Sequence, residues 1–149
     1  ESLQPLYNLY SRQEYEEKLA PACGKLGIGV IPYYGLASGF LTGKYRTDAD
    51  VTQSPRGAGI KTKYMNERGM RILAALDEVA KSKKAKCSQV ALGWLMSRPT
   101  ITAPIASATT LAQRQAAVLR SGGSALLRRP PRPPCRPGPG GADGPPPSR

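Results

Sequence analysis

Apolar positions in residues 3–10 (LQPLYNLY) fall at Leu3, Leu6, Tyr7 and Leu9, with Gln4 and Asn8 as polar exceptions, and the run predicts a strand. From Ser11 the spacing lengthens. Tyr15, Leu19, Cys23 and Leu26 stand three or four apart, which gives one buried face of a helix. Ser11 is a capping residue, and Glu14, Glu16 and Glu17 suit the positive end of a helix dipole. Gly27 supplies the left-handed stop. Gly29, Val30 and Ile31 then predict a short buried strand, which Pro32 ends because it has no N–H to donate. A strand–helix–strand order favours parallel strands with a right-handed crossover.

The pattern changes again after Pro32. Two tyrosines, Tyr33 and Tyr34, precede glycines at Gly35, Gly39 and Gly43, and Lys44 follows. Glycine permits positive φ and close backbone approach, while exposed N–H groups and a lysine attract phosphate, so this order suits an anionic, ring-bearing ligand. The same order also describes a strand followed by an ordinary Gly-rich loop. Residues 39–45 resemble a Walker A loop, but the spacing is one residue short, and Tyr45 stands where Ser or Thr must reach Mg²⁺. Residues 45–65 are polar, contain Pro55, Gly57 and Gly59, and predict a long loop.

Asn66 is expected to cap a strong helix running to Lys83, with Met70, Leu73, Leu76, Asp77 and Ala80 in register. The lysine-rich run at 81–86 reads as its solvated C-terminal end, where cations are favoured, and no aromatic residue interleaves with it as a nucleic-acid patch would require. Ser88 is expected to cap a further helix closed by Pro99. Val90, Leu92, Trp94, Leu95 and Met96 make that helix hydrophobic nearly all round, so it should pack on two sides. Residues 102–105 predict another extended segment. Residues 107–113 then predict a turn opening a helix, with Thr109 or Thr110 as cap, and thus a second anion-binding position.

Composition divides the chain. The 149 residues fit one ordinary domain, and 40% hydrophobic content is enough for a core. Residues 1–113 carry 15 Lys+Arg against 9 Asp+Glu, whereas residues 114–149 carry 7 Arg, no Lys and one acid, Asp143. The formal charge of +12 is therefore shared by two dissimilar segments and does not describe one basic surface. Nine of the 15 prolines lie between Pro130 and Pro147, so residues 114–149 are expected to form a disordered tail. Its PPRPP stretch could occupy a polyproline groove on a partner. Its Pro/Arg/Gly vocabulary is also what a GC-rich message gives when read out of frame, and a frameshift near Gln113 is the expectation.

Chemistry is limited by what is missing. No histidine occurs, and Cys23, Cys87 and Cys135 stand far apart without CxxC spacing. Zinc sites of ordinary spacing, and Ser-His or Cys-His catalysis within this chain, are excluded. Unpaired cysteines and the lack of any apolar run near 18 residues point to a reduced, soluble compartment, expected to be cytoplasmic, with no membrane and no nucleic-acid partner.

Three blocks, LQPLYNLYSRQEYE, GIGVIPYYGLASGFLTGKY and LDEVA…SQVALGWLMSRPTITAPIASATTLAQ, together resemble the C-terminal half of an aldo-keto reductase. The likeness is to the bacterial branch that also contains potassium-channel β-subunits, and it covers about residues 1–113. The resemblance implies an α/β fold: a partial TIM (β/α)8 barrel of roughly strands 6–8 with their helices, ahead of the tail. It implies NADPH as cofactor and hydride transfer to an aldehyde or ketone. Phosphate sites in such barrels gather after strands 7 and 8, where both anion-site expectations fall.

By the same resemblance, Gln4 would contact the nicotinamide carboxamide and Tyr33 would stack on the nicotinamide ring. Tyr34, Gly35, Leu36, Ser38, Gly39 and Lys44 would wrap the pyrophosphate, with Gly35 where relatives often carry proline, which implies a looser turn. Arg56 would meet the 2′-phosphate, and Ser107, Ala108, Thr109 and Gln113 would hold the adenosine phosphate. Ala116 and Ala117 stand where the family has Glu and Asn for the adenine, so those contacts are lost. The family's catalytic Asp, Tyr, Lys and His belong to the first half of the barrel, so no catalytic residue is assigned here. Tyr7, Tyr10, Tyr15 and Tyr45 are not that tyrosine. Because the chain begins at Glu1, not Met, and its first residues already read as the middle of an element, the expectation is a fragment, inactive alone and marginally folded, with an open sheet edge. The alternative is a non-catalytic nucleotide-binding remnant or an adaptor acting through its Arg/Pro tail.

Overall fold

Leu3 and Val30 sit side by side in a parallel pair, and that register organises the rest of the molecule. In this computed structural model, which describes residues 1–52, 55–108 and 110–111, β1 (Ser2–Leu3) pairs with β2 (Gly29–Val30). A bridge between Leu6 and Tyr33 continues the same register. Ile101 bridges Val30 from the other side, also in parallel, and Thr102 N–H donates to the Val30 carbonyl at 2.7 Å. Three extended segments therefore run in one direction, ordered 1–6, 29–33 and 100–105. The parallel strand–helix–strand reading holds.

The first segment is shorter than the expected 3–10. Asn8 Oδ1 accepts the backbone N–H groups of Tyr10 and Ser11, at 2.9 and 2.8 Å, and turns the chain out of the extended conformation. The following helix departs from ideal geometry where Pro21 intervenes. A π turn (Tyr15–Leu19) precedes α1 (Ala20–Leu26), because Pro21 cannot donate the i→i−4 bond that would continue a regular ladder. Tyr15 and Cys23 are buried as expected, but Leu26 is 68% exposed. Gly27 closes α1 in the left-handed conformation, φ 67°.

The expected loop at 45–65 contains two helices, α2 (Asp48–Val51) and α3 (Gly57–Tyr64). Its polar composition conceals three spaced apolar anchors, Val51, Ile60 and Tyr64, all buried. Thr47 and Asp50 form a capping box at the start of α2. The next helix, α4 (Glu67–Ser82), begins where expected, with Asn66 Oδ1 accepting the Gly69 N–H at 3.0 Å. Leu73, Leu76 and Ala80 face inward. Met70 does not, and Gly69 takes the buried position beside Tyr64. The last helix, α5 (Cys87–Met96), is capped from Lys86 rather than Ser88: Gln89 Oε1 reaches back to accept the Lys86 N–H at 2.9 Å.

Two hydrophobic clusters share α5, as its all-round apolar surface predicts. Ala91 joins Phe40, Leu41, Tyr45, Ile60, Tyr64, Leu73 and Leu76. Leu92 and Leu95 join Tyr7, Tyr15, Cys23, Val30 and Ile101 beneath the extended segments. Where the resemblance implies a partial barrel, the described residues show a mixed helix and sheet structure with two paired parallel strands and one bridged segment. Thr109, Gln113 and residues 114–149, on which the tail and frameshift expectations rest, lie outside the described residues.

Candidate functional site

The ends of the three parallel segments are pinned to one another by backbone bonds. Tyr33 N–H donates to the Pro5 carbonyl and Ile105 N–H to the Pro32 carbonyl, each at 3.0 Å. Parallel strands present their C-terminal ends as a common edge, where ligands of such sheets bind. At that edge Tyr33 and Tyr34 emerge, 38% and 54% exposed, with ring centroids 5.2 Å apart at 62°. Gln4 is exposed one segment over, and its register sets it opposite Ile31. Ser107 and Ala108 are exposed just beyond Ile105.

Tyr34 begins an unusual backbone. Tyr34 (φ 53°), Ala37 (φ 50°) and Ser38 (φ 58°) are non-glycine residues in the left-handed region, and Gly39 (φ 97°) and Gly43 (φ 81°) continue it. Each such non-glycine residue costs about 1–2 kcal/mol, so the surrounding contacts must enforce the conformation. Tyr34 shows how. Its carbonyl accepts both the Asn8 side-chain amide at 2.9 Å and the Ala37 N–H at 2.8 Å, and Asn8 itself is fully buried. Phe40 and Leu41, also fully buried, anchor the 3-10 segment (Ala37–Thr42) that carries the strained residues. Ala37, Ser38 and Gly39 are left-handed in succession and turn the chain sharply, with the Ala37 and Gly39 N–H groups donating to the Tyr34 and Leu36 carbonyls at 2.8 and 2.9 Å.

Lys44 supplies the cation. Its ammonium lies 4.8 Å from the Tyr45 ring centroid and about as close to Gly39: a Cβ built there would be 4.0 Å from Nζ. Gly35 serves packing instead of freedom, since a Cβ there would come within 3.0 Å of the Leu95 side chain on α5 and 3.6 Å of the Ile105 carbonyl. The looser turn expected at Gly35 is thus a buried, closely packed one. Leu36 packs against both hydrophobic clusters. Arg56 stands exposed at the start of α3, on the helix that packs against the 3-10 segment. Of the expected contacts, Tyr33, Tyr34, Gly35, Leu36, Ser38, Gly39 and Lys44 form one continuous loop, with Gln4, Ser107 and Ala108 on the flanking segments.

Two residues that the sequence did not single out hold this loop. Asn8 fixes its beginning, as described. Arg46 fixes its end, donating from Nε to the Gly43 carbonyl and from a terminal nitrogen to Asp77 Oδ1, both at 2.8 Å. That hydrogen bond, and a second from the Cys87 thiol, hold the Asp77 carboxyl below its ordinary range. The Cys87 thiol is pushed up by burial and by Asp77, which leaves it a poor nucleophile.

The tyrosines of the second cluster have the wrong acidity for proton donation. Burial, then the bond from its hydroxyl to Glu16 (2.7 Å), pushes the Tyr7 phenol well above its usual value, and burial raises Tyr15 too. A tyrosine acid catalyst needs the opposite shift. Two surface grooves, of ≈ 350 and ≈ 530 Å³, are both lined by Arg12 and Arg68, and the second also includes Leu6 at the end of the first extended segment. Those guanidinium groups are engaged by Glu16 and by the Tyr10 carbonyl, so the strand-end loop is the better ligand surface. Among the described residues, no three His, Cys, Asp or Glu side chains gather as a metal site, and no helix is long and apolar enough to cross a membrane.

Residues 1–121 match the sequence profile of the Aldo/keto reductase family, a match that continues past the change of composition at Gln113. A probable voltage-gated potassium channel subunit beta from Arabidopsis thaliana is 32% identical over 75% of this chain and 35% of its own length. An L-glyceraldehyde 3-phosphate reductase from Escherichia coli (strain K12) is 30% identical over 74% of this chain and 33% of its own. The aldo-keto reductase AFTS1 of Alternaria alternata is 37% identical over 70% of this chain and 27% of its own. The chain thus spans about a third of the length of the curated relatives it matches. With that profile matched across most of its residues, and parallel segments that end in a tyrosine-led, glycine-rich loop, the chain belongs to the aldo/keto reductase family.

Proposed function

We propose that residues 1–113 form part of a (β/α)8 reductase barrel and provide its nicotinamide dinucleotide site, with NADPH as the ligand and an aldehyde or ketone as the substrate of the complete enzyme. One observation carries this reading. The exposed Tyr33 ring, the left-handed residues 37–39 and the Lys44 ammonium occur in one loop at the C-terminal edge of parallel strands. A flat aromatic face suits the nicotinamide, while a tightly turned glycine-bearing backbone and a cation suit the pyrophosphate.

The residues present fit such a group. Tyr33 and Gln4 would orient the ring, Tyr34, Gly35, Leu36, Ser38, Gly39 and Lys44 would hold the phosphates, and Ser107, Ala108, Thr109 and Gln113 would hold the adenosine end. Arg56 would meet a 2′-phosphate, the contact that favours NADPH over NADH. When bound, the cofactor supplies the hydride; this chain's part is to bind it and fix which face is presented.

Proton donation to the carbonyl lies outside this chain. It has no histidine, and the family's acid tyrosine with its lysine partner belongs to the first half of the barrel. We therefore read the 149-residue polypeptide as binding NADPH without turning it over. Mixing it with NADPH and a panel of aldehydes should show saturable binding and no loss of NADPH absorbance. Carbonyl reduction by the purified chain would contradict the reading.

A further inference from the structure

The loop that carries Lys44 is braced by an arginine whose own position is set from α4. Arg46 reaches three places at once. Its Nε donates to the Gly43 carbonyl, a terminal nitrogen donates to Asp77 Oδ1 (each 2.8 Å), and its backbone N–H donates to Asp50 Oδ2 at 2.9 Å. Asp50 is fixed in turn by the N–H and hydroxyl of Thr47, at 2.7 and 2.9 Å. The first residue of α5 closes the arrangement, because the Cys87 thiol donates to the same Asp77 oxygen at 3.2 Å. Gly43 leaves room for it: with φ at 81°, a Cβ there would lie 2.8 Å from the Arg46 guanidinium.

The Arg46–Asp77 pair is open to solvent, its side chains 34% and 48% exposed, and such pairs add little to global stability. Its consequence is positional. The Gly43 carbonyl and the Lys44 N–H belong to one planar peptide unit, so a bond that fixes the carbonyl also fixes the direction in which Lys44 leaves the loop. From that backbone the side chain reaches back so that the ammonium lies near Gly39 and over the Tyr45 ring.

We infer that Arg46, oriented by Asp77, is a positioning residue that holds the Gly43–Lys44 peptide so that the Lys44 ammonium meets the phosphates of the bound dinucleotide. The inference rests on the proposed cofactor reading, and two measurements separate them. The first needs no ligand. Hydrogen exchange on the full chain should rise about tenfold at the amides of residues 43–45 in Asp77→Ala, with the amides around Leu73 on α4 unchanged. Unchanged exchange at 43–45 overturns the brace.

The second measurement is a double-mutant cycle on NADPH affinity. Lys44→Ala should weaken binding about tenfold and Asp77→Ala about threefold, while the double variant should bind no more weakly than Lys44→Ala. Fully additive losses would mean that Asp77 acts by some route other than Lys44. Asp77→Asn, which keeps the acceptor oxygen, should recover part of the loss; a merely structural role would show instead as equal unfolding shifts in both Asp77 variants. If the unmodified chain does not bind NADPH, the cofactor reading falls and takes the phosphate half of the inference with it, while the exchange data still decide the brace.

Discussion

The side-chain amide of Asn8 donates to the Tyr34 carbonyl at 2.9 Å, which ties the end of the first extended segment to a left-handed, half-exposed tyrosine of the neighbouring one. The same side chain accepts from Tyr10 and Ser11, so one buried asparagine shapes two turns. Asn8→Ala leaves three backbone groups without that partner, and a buried group left unsatisfied costs about 1–3 kcal/mol. Urea unfolding should register a loss at the upper end of this range. A loss below about 0.5 kcal/mol would mean that water replaces the amide.

Gly27 and Gly43 offer a matched comparison. Both have positive φ, 67° and 81°, but a Cβ at Gly27 meets nothing within 4 Å, whereas one at Gly43 meets Arg46 and Cys87. Gly27→Ala should therefore cost about 1 kcal/mol from backbone strain alone. Gly43→Ala should cost more and should also expose residues 43–45 to hydrogen exchange, because Arg46 must move. Equal costs at the two positions would show that the Arg46 contact contributes nothing.

Acid stability should depend on Glu16. Arg12 holds its carboxylate in a fork, at 3.0 and 3.1 Å, and Tyr7 donates at 2.7 Å, so its pKa is lowered from the ordinary 4.5, chiefly by the Arg12 hydrogen bond. A carboxyl whose folded pKa is depressed contributes stability that is present above the unfolded value and lost as pH falls through the folded one. Urea midpoints should thus decline as the pH falls below about 4.5, and Glu16→Gln should flatten part of that decline. Asp77, also depressed, accounts for part of the remainder. An identical acid limb in Glu16→Gln would remove Glu16 from the explanation.

Arg56 carries the proposed preference for a 2′-phosphate. Its replacement by alanine should narrow the ratio of NADPH to NADH affinity about tenfold, equivalent to about 1.4 kcal/mol, mostly by weakening NADPH. Isothermal titration with both nucleotides measures this directly. Equal weakening of the two would place Arg56 elsewhere on the ligand.

Much of this architecture was legible because it depends on local chemistry. Asn66 announces α4 through a capping bond made within its own first turn, and Gly27 ends α1 with a conformation that glycine adopts readily. What escaped depends on partners distant in sequence. Val51, Ile60 and Tyr64 look isolated among polar neighbours until Phe40 stacks on Tyr64 (centroids 5.5 Å, 18° between planes) and the segment becomes helix. Asn8 reads as an interruption of an apolar run until Tyr34, far along the chain, supplies its acceptor. Arg46 has no motif at all: Asp77, its partner, lies on a helix 31 residues away. Some local signals compete with composition: Pro21 inside a helical pattern disturbs the turn at Tyr15–Leu19, and the Thr47–Asp50 capping box starts α2 within a stretch whose polarity reads as loop.

The central claim is that Tyr33 offers its ring to a nicotinamide at the edge of the parallel segments. Fluorescence titration of NADPH into the unmodified chain and into Tyr33→Ala tests it most directly, with Leu26→Ala, at a solvent-exposed residue of α1, as a surface control. Loss of one aromatic stacking face should weaken binding by about 1–2 kcal/mol, or roughly tenfold, and should reduce the change in nicotinamide emission while the control stays unchanged. Equal affinity and equal emission in Tyr33→Ala, or no saturable binding by the unmodified chain, would contradict the account.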